Sequence, residues 1–510
     1  MMEKSRTVYA KRNINAGIIS QVINVVLSFI CRTVFVYSLG ASYLGLGGLF
    51  TNILNVFNMA DLGFSTAMIY SLYKPVVEKN EEEIVALMTF YKKVYRVIAG
   101  VILIIGLSLI PFLDKIINLE TEIQNVIFYY LLYLSNAVVS YLCVYKTSIL
   151  RANQEAYVLN IVQAVITVIR YTVQIIVLLV FSNYTLYLIV QTIGTLLVNI
   201  VGAHLAEKRY PFIKQQGVLS ISKKREIGDN VKSLMCFKIG SVLLTNIDNI
   251  LISTIVGTIW VGLYSNYVLI ENSIKGFVSI IFNGLTASVG NLVVKEKREK
   301  QVKMFYTMNF LTWWCYSFCT IAFIVMFQPF IEFWVGEKYL LPFCTMLVIC
   351  ICFYVQGSVK IVEVFRETTG IFRQTKYVYL LASILNVIFS VILGRQFGLM
   401  GILLATIIAR LLTHVWYEPF CLFKFFQESV RTYFGKQLVY HIIFAICAIA
   451  TYKAASIVNL SISIINLVVK GVICLIIPNV LIVIVFSRSE EYREGIRLLA
   501  GGRFSKIIKI

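Results

Sequence analysis

The stretch INAGIISQVINVVLSFICRTVFVYSL, residues 14–39, indicates the fold class because it is predominantly apolar and carries one charge, Arg32. A helix rises about 1.5 Å per residue, so this run reaches about 39 Å and exceeds the roughly 30 Å hydrocarbon core of a bilayer. Backbone groups can pair within a helix but not within a lone strand in lipid. The run is therefore predicted to be a transmembrane helix.

Similar runs continue along all 510 residues, of which 59% are hydrophobic and 14% charged. This composition and the mean hydropathy of +0.81 exclude a soluble enzyme, a disordered chain and a secreted disulfide scaffold. Barrel strands alternate polar and apolar residues over about ten positions, unlike these runs. We predict an all-α polytopic membrane protein with about fourteen transmembrane helices, at residues 14–39, 43–73, 94–113, 124–149, 158–181, 184–205, 233–256, 261–293, 304–327, 341–365, 376–396, 400–424, 437–458 and 463–486.

The distribution of basic residues predicts the orientation of these helices. With the N-terminus in the cytoplasm, the loops on that side carry 34 Lys and Arg residues and the opposite loops carry three. Membrane proteins concentrate Lys and Arg in cytoplasmic loops, so both termini are expected in the cytoplasm. The same distribution accounts for the net charge of +20. We therefore expect no nucleic acid partner.

An internal repeat connects two segments that are 217 residues apart. Ser38–Leu46 reads SLGASYLGL and Ile255–Leu263 reads IVGTIWVGL, with glycines and the final leucine in register. The offset spans six predicted helices, so the two halves have the same orientation and are related by an axis along the membrane normal. We expect two six-helix lobes and two extra C-terminal helices. The predicted segments are an N-lobe at 1–205, a basic cytoplasmic linker at 206–232, a C-lobe at 233–424, helices 13 and 14 at 425–486 and a basic amphipathic cytoplasmic tail at 487–510.

Polar residues beside the repeat also recur in register. One stripe has steps of three or four residues, which place its members on one helix face; it comprises Gln21, Asn24, Ser28 and Arg32. Adding 217 gives another polar stripe, formed by Lys238, Ser241, Thr245 and Asn249. On the next helix of each half, Asn55 corresponds to Asn272 and Asn58 to Lys275. These faces are predicted to line a hydrated cavity between the lobes.

Charged residues inside membrane spans cost roughly 2.5–3.5 kcal/mol on insertion scales and usually mark a substrate or ion path. The predicted substrate-binding residues of the cavity are Asn24, Arg32, Asn55, Arg170, Lys238, Asn249, Asn272 and Lys275. Arginine and lysine suit phosphate, and asparagine can bond sugar hydroxyls. The acids Asp61, Asp248 and Glu271 either balance these bases or bind a coupling proton or sodium ion.

Other intramembrane charges leave two interpretations open. Arg170 shares a helix face with Gln163, Thr167 and Gln174. This face is either a second cavity wall or a hydrogen-bond ladder within the lobe. Lys360 with Glu363, and Arg410 with His414 and Glu418, have the spacing of structural ion pairs. The helix at Glu81–Lys93 and the basic tail are expected on the cytoplasmic surface, where the tail either binds anionic lipid or is a solvated anchor.

Metal and cofactor chemistry have little support in the sequence. The eleven cysteines lie mostly inside apolar runs, and the three histidines, His204, His414 and His441, have no ligand spacing. We expect neither a metal site nor a cofactor.

A membrane glycosyltransferase or polymerase would need catalytic loops outside the membrane, whereas the outer loops here are short and contain no D-x-D pair. We therefore expect a protein that is not an enzyme.

Several segments together resemble a known family. They are the basic N-terminal segment, Arg32 followed by SLGASYLGLGGLFTNILNVFNMADLGF, the segment YKPVVEKNEEE and the second copy of the repeat, WVGLYSNYVLIENSI. Through these segments the chain is similar to Wzx-type polysaccharide flippases of the multidrug/oligosaccharidyl-lipid/polysaccharide (MOP) superfamily. This resemblance implies a transporter of the bacterial plasma membrane that moves undecaprenyl-pyrophosphate-linked oligosaccharide by alternating access. It also implies headgroup contacts from Arg32, Lys238 and Lys275, and partners among membrane lipids, polysaccharide polymerases and glycosyltransferases.

Two other functions remain open at this point. A MATE-like multidrug or cation antiporter of the same superfamily would favour an acidic, aromatic cavity, whereas the candidate residues here are mainly basic. A structural scaffold of a polysaccharide-export complex would not need a charged interior.

Overall fold

The computed structural model describes residues 2–57, 64–118, 123–371, 374–375, 377–458 and 463–500. Within these ranges the regular structure is entirely helical. The helices are α1 (Met2–Phe57), α2 (Phe64–Glu78), α3 (Glu81–Ser108), α4 (Leu113–Ile116), α5 (Val126–Leu142), α6 (Val144–Ala152), α7 (Ala156–Phe181), α8 (Tyr184–Arg209), α9 (Ile221–Ile255), α10 (Thr258–Lys295), α11 (Arg298–Val335), α12 (Phe343–Ser358), α13 (Lys360–Thr369), α14 (Val378–Leu411), α15 (His414–Phe426), α16 (Val430–Ile457), α17 (Ser463–Phe486) and α18 (Glu490–Ala500).

Among the described residues, nine helical stretches are long and apolar enough to cross a membrane, and the bent pair α5 and α6 makes a tenth. Two of the nine, Asn15–Phe57 with 43 residues and Val378–Phe426 with 49, each join parts of two predicted runs: 14–39 with the first part of 43–73, and 376–396 with 400–424. In the described residues, each predicted run falls mainly on helix, with turns or breaks at some run ends and inside some runs, as at Cys143 and Val359. The prediction of an all-α polytopic membrane protein is confirmed.

Glycine separates the two runs in each of these long stretches. Gly40 has φ 82° and ψ −175° inside α1, and Gly398 has φ 58° and ψ −137° inside α14. A side chain is strained at such positive φ values, so only glycine breaks the helix here at little cost. Gly257, the repeat equivalent of Gly40, also has a positive φ, 135°. The repeated motif therefore marks the same kind of helix break twice.

Contacts divide the chain into two compact units, one of Met1–Ser265 with Asn272–Ile280 and one of Asn266–Glu271 with Ile281–Ile510. These units are defined by contacts and do not test the predicted division into lobes, linker and tail, which stays a prediction. In the first unit, a core of aromatic and aliphatic residues joins α2, α3 and α6, with Tyr91, Leu87 and Ile149 fully buried. The same core includes Ala206 at the end of α8 and Ile213 in the segment that follows it, so it holds the start of the basic segment against α3 and α6.

The second unit is organised around α11. Trp313 stacks on Tyr440 of α16 at 4.7 Å between ring centroids, and its indole donates to the Tyr354 hydroxyl of α12 at 3.1 Å. Aromatic pairs of this geometry add to the free energy gained by burial. Tyr492 of α18 stacks on Trp314 of α11 in the same cluster.

Two surface expectations differ from the structure. Glu81–Lys93 is not a separate surface helix, because α3 runs unbroken from Glu81 to Ser108 and buries Leu87, Met88 and Tyr91. The first part of the tail is helical, as its amphipathic pattern predicts, but α18 packs on α11 and α16 rather than resting on lipid alone. In both segments the amphipathic pattern predicted an apolar face that rests on the membrane. In the structure, that face packs against other helices.

Candidate functional site

The two glycine motifs of the repeat meet where α1 crosses α10 in the first unit. A Cβ on Gly45 would collide with the carbonyl oxygen of Thr258, and a Cβ on Gly262 would lie 3.0 Å from the Gly45 nitrogen. Small residues allow helix backbones to approach this closely in membranes. The close crossing brings the polar faces of α1 and α10 together. We call the polar groups that α1, α9 and α10 share in this region the polar seam; they are Gln21, Arg32, Asn55, Asn246 and Ser265.

Arg32 of α1 lies in the polar seam and is half-buried. Its Nη1 donates to the Ser265 hydroxyl of α10 at 3.1 Å, and that hydroxyl donates to the Gly262 carbonyl at 2.7 Å. Within the described part of the chain, Arg32 forms no ion pair with a carboxylate. A guanidinium has five N–H donors, so Arg32 retains positive charge and donors for an anionic ligand.

Amide side chains continue the polar seam from α1 to α9 and α10. The Asn55 amide donates to Asn246 of α9 at 3.3 Å, and Asn246 in turn donates to the Val242 carbonyl. Gln21 lies against Gly276 of α10, where a Cβ would collide with the Gln21 amide. Gln21, Arg32 and Asn55 thus place the predicted polar faces of α1 against α9 and α10.

Arg170 lines a separate cavity of about 200 Å³ inside the first unit, between α5, α7 and α8. Gln163 donates to Thr167 at 3.3 Å on the same face, so this stripe is both a cavity wall and a partial hydrogen-bond ladder. Gly194 makes room for Arg170, since a Cβ there would lie 2.7 Å from the Arg170 Cδ. The buried Arg170 Nε has no hydrogen-bond partner among the described groups.

The other predicted site residues differ from one another in how far they are buried. Asn24 and Asn272 are exposed, Asp248, Asn249 and Lys275 are half-buried, and Glu271 is buried. Asp61 lies outside the described residues, and so does the side chain of Lys238, whose backbone is part of α9. No contact given by the described residues joins all of these groups into one site. Their roles in binding and ion coupling stay predictions.

A cluster of aromatic residues near Arg32 was missed in the sequence. The hydroxyls of Tyr133 and Tyr184 lie 3.2 Å apart, and Phe35 packs edge-on against Tyr187 at 5.1 Å. Tyr133 and Tyr187 are electrostatic neighbours of the Arg32 guanidinium. Aromatic side chains in α1, α5 and α8 were indistinguishable from ordinary core residues in the sequence, because their meeting depends on helix packing.

The second unit contains a buried polar network that the sequence predicted only in part. The Lys360–Glu363 pair is confirmed at 2.8 Å. Glu418, however, pairs with Arg366 of α13, whereas we expected a partner in Arg410 or His414 of its own segment. Tyr379 links the groups, accepting from Arg366 at 3.0 Å and donating to Glu363 at 3.1 Å. Arg366 lies one residue beyond the predicted helix 341–365, so the sequence did not indicate its role in this buried network.

Comparisons by sequence find no counterpart: no protein-family model matches the chain, and neither does any curated protein. Comparison by structure gives a different result. A lipid II flippase, MurJ, in an inward closed conformation aligns with a TM-score of 0.64 at 14% identity, over 94% of this chain and 99% of that one. A multidrug resistance MATE family transporter in an inward-facing conformation aligns with a TM-score of 0.59 at 16% identity, over 80% and 98%.

The chain has the fold of MOP-superfamily transporters. A third similar structure, a MOP-superfamily transporter from Pyrococcus furiosus, aligns with a TM-score of 0.57 at 13% identity, over 82% of this chain and 96% of that one. The fold expected from the sequence resemblance is therefore confirmed. Identities this low establish the fold and not the cargo, so the substrate has to be argued from the residues of this chain.

Proposed function

We propose that this MOP-fold protein is a flippase of the bacterial plasma membrane. Its cargo would be undecaprenyl-pyrophosphate-linked oligosaccharide repeat units, moved from the cytoplasmic to the outer leaflet by alternating access through a cationic central cavity. The observation that carries this proposal is Arg32, a half-buried cation in an apolar helix that is bonded to a neutral hydroxyl. A charge that is costly in the membrane and is not cancelled by an acid marks a ligand path.

The chemistry of the polar seam suits this cargo. The guanidinium of Arg32 matches the oxygens of a pyrophosphate, which it can bind with two parallel hydrogen bonds. The amides of Asn55 and Asn246 can donate to and accept from sugar hydroxyls. The proposal includes a cytoplasmic location for both termini and, as partners, the lipid-linked oligosaccharide, membrane lipids, a polymerase and glycosyltransferases.

A flipping assay in proteoliposomes tests this function. The purified full chain is reconstituted with a fluorescent polyprenyl-pyrophosphate oligosaccharide, and the fraction that becomes accessible to a membrane-impermeant quencher is followed over time. Arg32→Gln should slow flipping by about tenfold or more, because a hydrogen bond to a charged group contributes about 1.5–3 kcal/mol. Arg32→Lys should retain part of the rate, since it keeps the charge but loses the planar fork.

Lys208→Gln is the matched control for this assay. Lys208 is exposed at the end of α8, and its loss removes the same charge without touching the polar seam. We expect its flipping rate to equal that of the wild type. If Arg32→Gln also flipped at the wild-type rate with the same protein density in the vesicles, the proposed cargo path would be wrong.

The second candidate is a MATE-like multidrug or cation antiporter. The MATE transporter that aligns over 80% of this chain favours it. Because an organic cation is repelled by an arginine that pairs with no carboxylate in the described part of the chain, this function agrees less well with the setting of Arg32. Transport of an organic cation dye by the same proteoliposomes, without any lipid flipping, would select the antiporter.

The coupling of transport to an ion gradient is the remaining part of the proposal. Asp61, Asp248 and Glu271 are the candidate acids, of which Glu271 is buried. An ion that drives transport must bind one conformation more tightly than the other. Flipping should therefore change when a proton gradient, a sodium gradient or a membrane potential is imposed on the vesicles in turn. A rate that is indifferent to all three would remove coupling from the proposal.

A further inference from the structure

The first unit contains a second polar cavity, of about 440 Å³, at the end of the unit that the basic loops mark as cytoplasmic. It lies between residues 88–96 of α3, the start of α6, the end of α8 and the segment 213–218 that follows α8. Its charged lining consists of Lys92, Lys93, Arg96, Lys146, Lys214 and Glu207. We call this cavity the basic pocket.

The basic pocket is strongly positive because its one acid is already engaged. Glu207 pairs with Lys146 at 2.5 Å and lies 4.0 Å from Lys214. Of the residues that the structure describes, Lys92, Lys93 and Arg96 take part in no ion pair. Three cations within five residues of one helix repel one another unless an anion lies between them. The pocket therefore has the charge of an anion site.

The wall opposite α3 is held in place by specific contacts. The Gly217 amide donates to the Thr89 hydroxyl of α3 at 3.1 Å. A Cβ on Gly217 would lie 2.8 Å from the Ala86 nitrogen and 2.9 Å from its Cα, so the close approach of this segment to α3 requires glycine. Met88, Tyr145 and Ile213 are buried beneath the polar groups and form an apolar floor. The pocket is thus a shaped concavity, lined by charged groups above an apolar floor.

Apolar surface beside the basic pocket indicates where its ligand comes from. Directly after Arg96, α3 presents an exposed apolar stripe of Val97, Val101 and Ile104, with Val97 and Ile104 65% and 69% exposed. These residues are spaced as one helix face, which lies within the candidate membrane span Glu81–Ile116. Val218, at the rim, is 92% exposed. A lipid with its phosphate in the pocket would lay its acyl chains along this stripe.

We propose that the basic pocket binds the phosphate headgroup of an anionic phospholipid of the cytoplasmic leaflet. Lys92, Lys93 and Arg96 bind the phosphate oxygens, Thr89 and Gln216 are placed to bond the polar headgroup, and the stripe on α3 holds the acyl chains. Basic pockets at the cytoplasmic ends of membrane helices commonly take anionic headgroups. This site is separate from the polar seam around Arg32 and does not depend on the cargo proposed above.

The test measures lipid binding to the delipidated full-length protein. Phosphatidylglycerol and phosphatidylcholine are added in turn, and the number of lipids retained is counted by native mass spectrometry. We expect phosphatidylglycerol to be retained in preference to phosphatidylcholine. The triple variant Lys92→Gln, Lys93→Gln and Arg96→Gln should bind phosphatidylglycerol about tenfold more weakly or worse, since each basic residue near an anionic headgroup contributes several-fold to affinity.

The matched control removes three other basic side chains, with Lys208→Gln, Lys224→Gln and Arg225→Gln. All three are exposed at the same end of the first unit and lie outside the basic pocket. This control should bind phosphatidylglycerol as the wild type does. If the triple variant of the pocket failed to fold, the single variant Arg96→Gln would replace it, because Arg96 is exposed.

Two results would overturn the proposal. The first is wild-type retention of phosphatidylglycerol by the pocket variants, which would place the lipid elsewhere. The second is full displacement of phosphatidylglycerol by millimolar inorganic pyrophosphate, which would assign the pocket to a soluble phosphate compound. Persistence of the bound lipid in pyrophosphate, together with its loss in the pocket variants, supports the headgroup and acyl chains as one binding unit.

Discussion

Gly45 and Gly262 occupy the same position in the two copies of the 217-residue repeat, and in the folded chain they lie against each other. A Cβ on either residue would come within 3.2 Å of the other's backbone nitrogen. The repeat is therefore more than a trace of duplication, because its glycines form the closest part of the crossing between α1 and α10. Arg32 and Ser265 bond across the same pair of helices.

Gly45→Ala should destabilise the protein by about 1–3 kcal/mol, the usual cost of forcing an extra methyl group into a tight contact. The Thr258 carbonyl that it would meet is backbone and has little room to move. The midpoint of thermal unfolding in detergent measures the change. Gly100→Ala in α3 is the control, because nothing lies within 4 Å of its Cβ position.

Replacing an open helical glycine by alanine should leave the unfolding midpoint unchanged or raise it, since alanine is favoured by up to about 1 kcal/mol within a helix. Equal midpoints for Gly45→Ala and Gly100→Ala would show that the crossing tolerates a side chain. The close packing that we assign to the two repeat motifs would then be wrong.

The sequence predicted the helices of this fold well because each carries its own evidence. An apolar run such as 14–39 has to satisfy its backbone internally, and the basic loops fix the sides of the membrane. Gly40 and Gly257 were recognisable through the repeat, although their positive φ values were not. These features depend on neighbours in the sequence, so they can be predicted from one chain.

The pairings within the candidate sites could be predicted only where partners are close in sequence. Lys360 and Glu363, three residues apart on one helix, are an example. Glu418 and Arg366 are 52 residues apart, and their contact depends on how α13 packs against α15. The basic pocket has the same origin, because it combines residues of α3, α6 and α8 with the following segment.

Arg366→Met should lower the stability of the second unit by about 3–5 kcal/mol, the range for breaking a buried ion pair. The substitution leaves Glu418 buried without its cation, and the side chain of Glu418 is fully inaccessible to solvent. Adding Glu418→Leu to Arg366→Met should restore most of the unfolding midpoint. A double variant no more stable than Arg366→Met would show that the pair is not the source of the loss.

Arg170→Met should slow the proposed flipping without lowering the unfolding midpoint. Arg170 lines a cavity, and its buried Nε has no hydrogen-bond partner among the described groups. Its contact with the neighbouring Tyr171 ring, 4.7 Å from the centroid, is weak compared with a buried ion pair, so removing the charge costs little stability. Arg151→Met, at an exposed position at the end of α6, is the control and should change neither quantity. Loss of stability with an unchanged flipping rate would instead assign Arg170 to the hydrogen-bond ladder of the first unit.

Lys303→Gln should loosen α18 from α11. The Lys303 ammonium lies 2.5 Å from Glu490 and 3.6 Å from Glu494, and this contact lowers the pKa of the Glu490 carboxyl from its ordinary value. The effect should appear as faster hydrogen exchange across residues 490–500. It should be modest, because the pair is exposed to solvent and screened by salt. Lys300→Gln is the control, since Lys300 pairs with Glu296 and not with α18.

The same contact predicts how the docking of α18 depends on pH. A carboxyl whose pKa is lower in the docked state contributes stability above its ordinary pKa of about 4.3. That contribution is lost as the pH falls through the lowered value, so exchange across 490–500 should accelerate in acid more for the wild type than for Lys303→Gln. Because Tyr492 still stacks on Trp314, α18 should loosen rather than detach. Identical acid responses in the two proteins would show that Lys303 and Glu490 do not hold the helix.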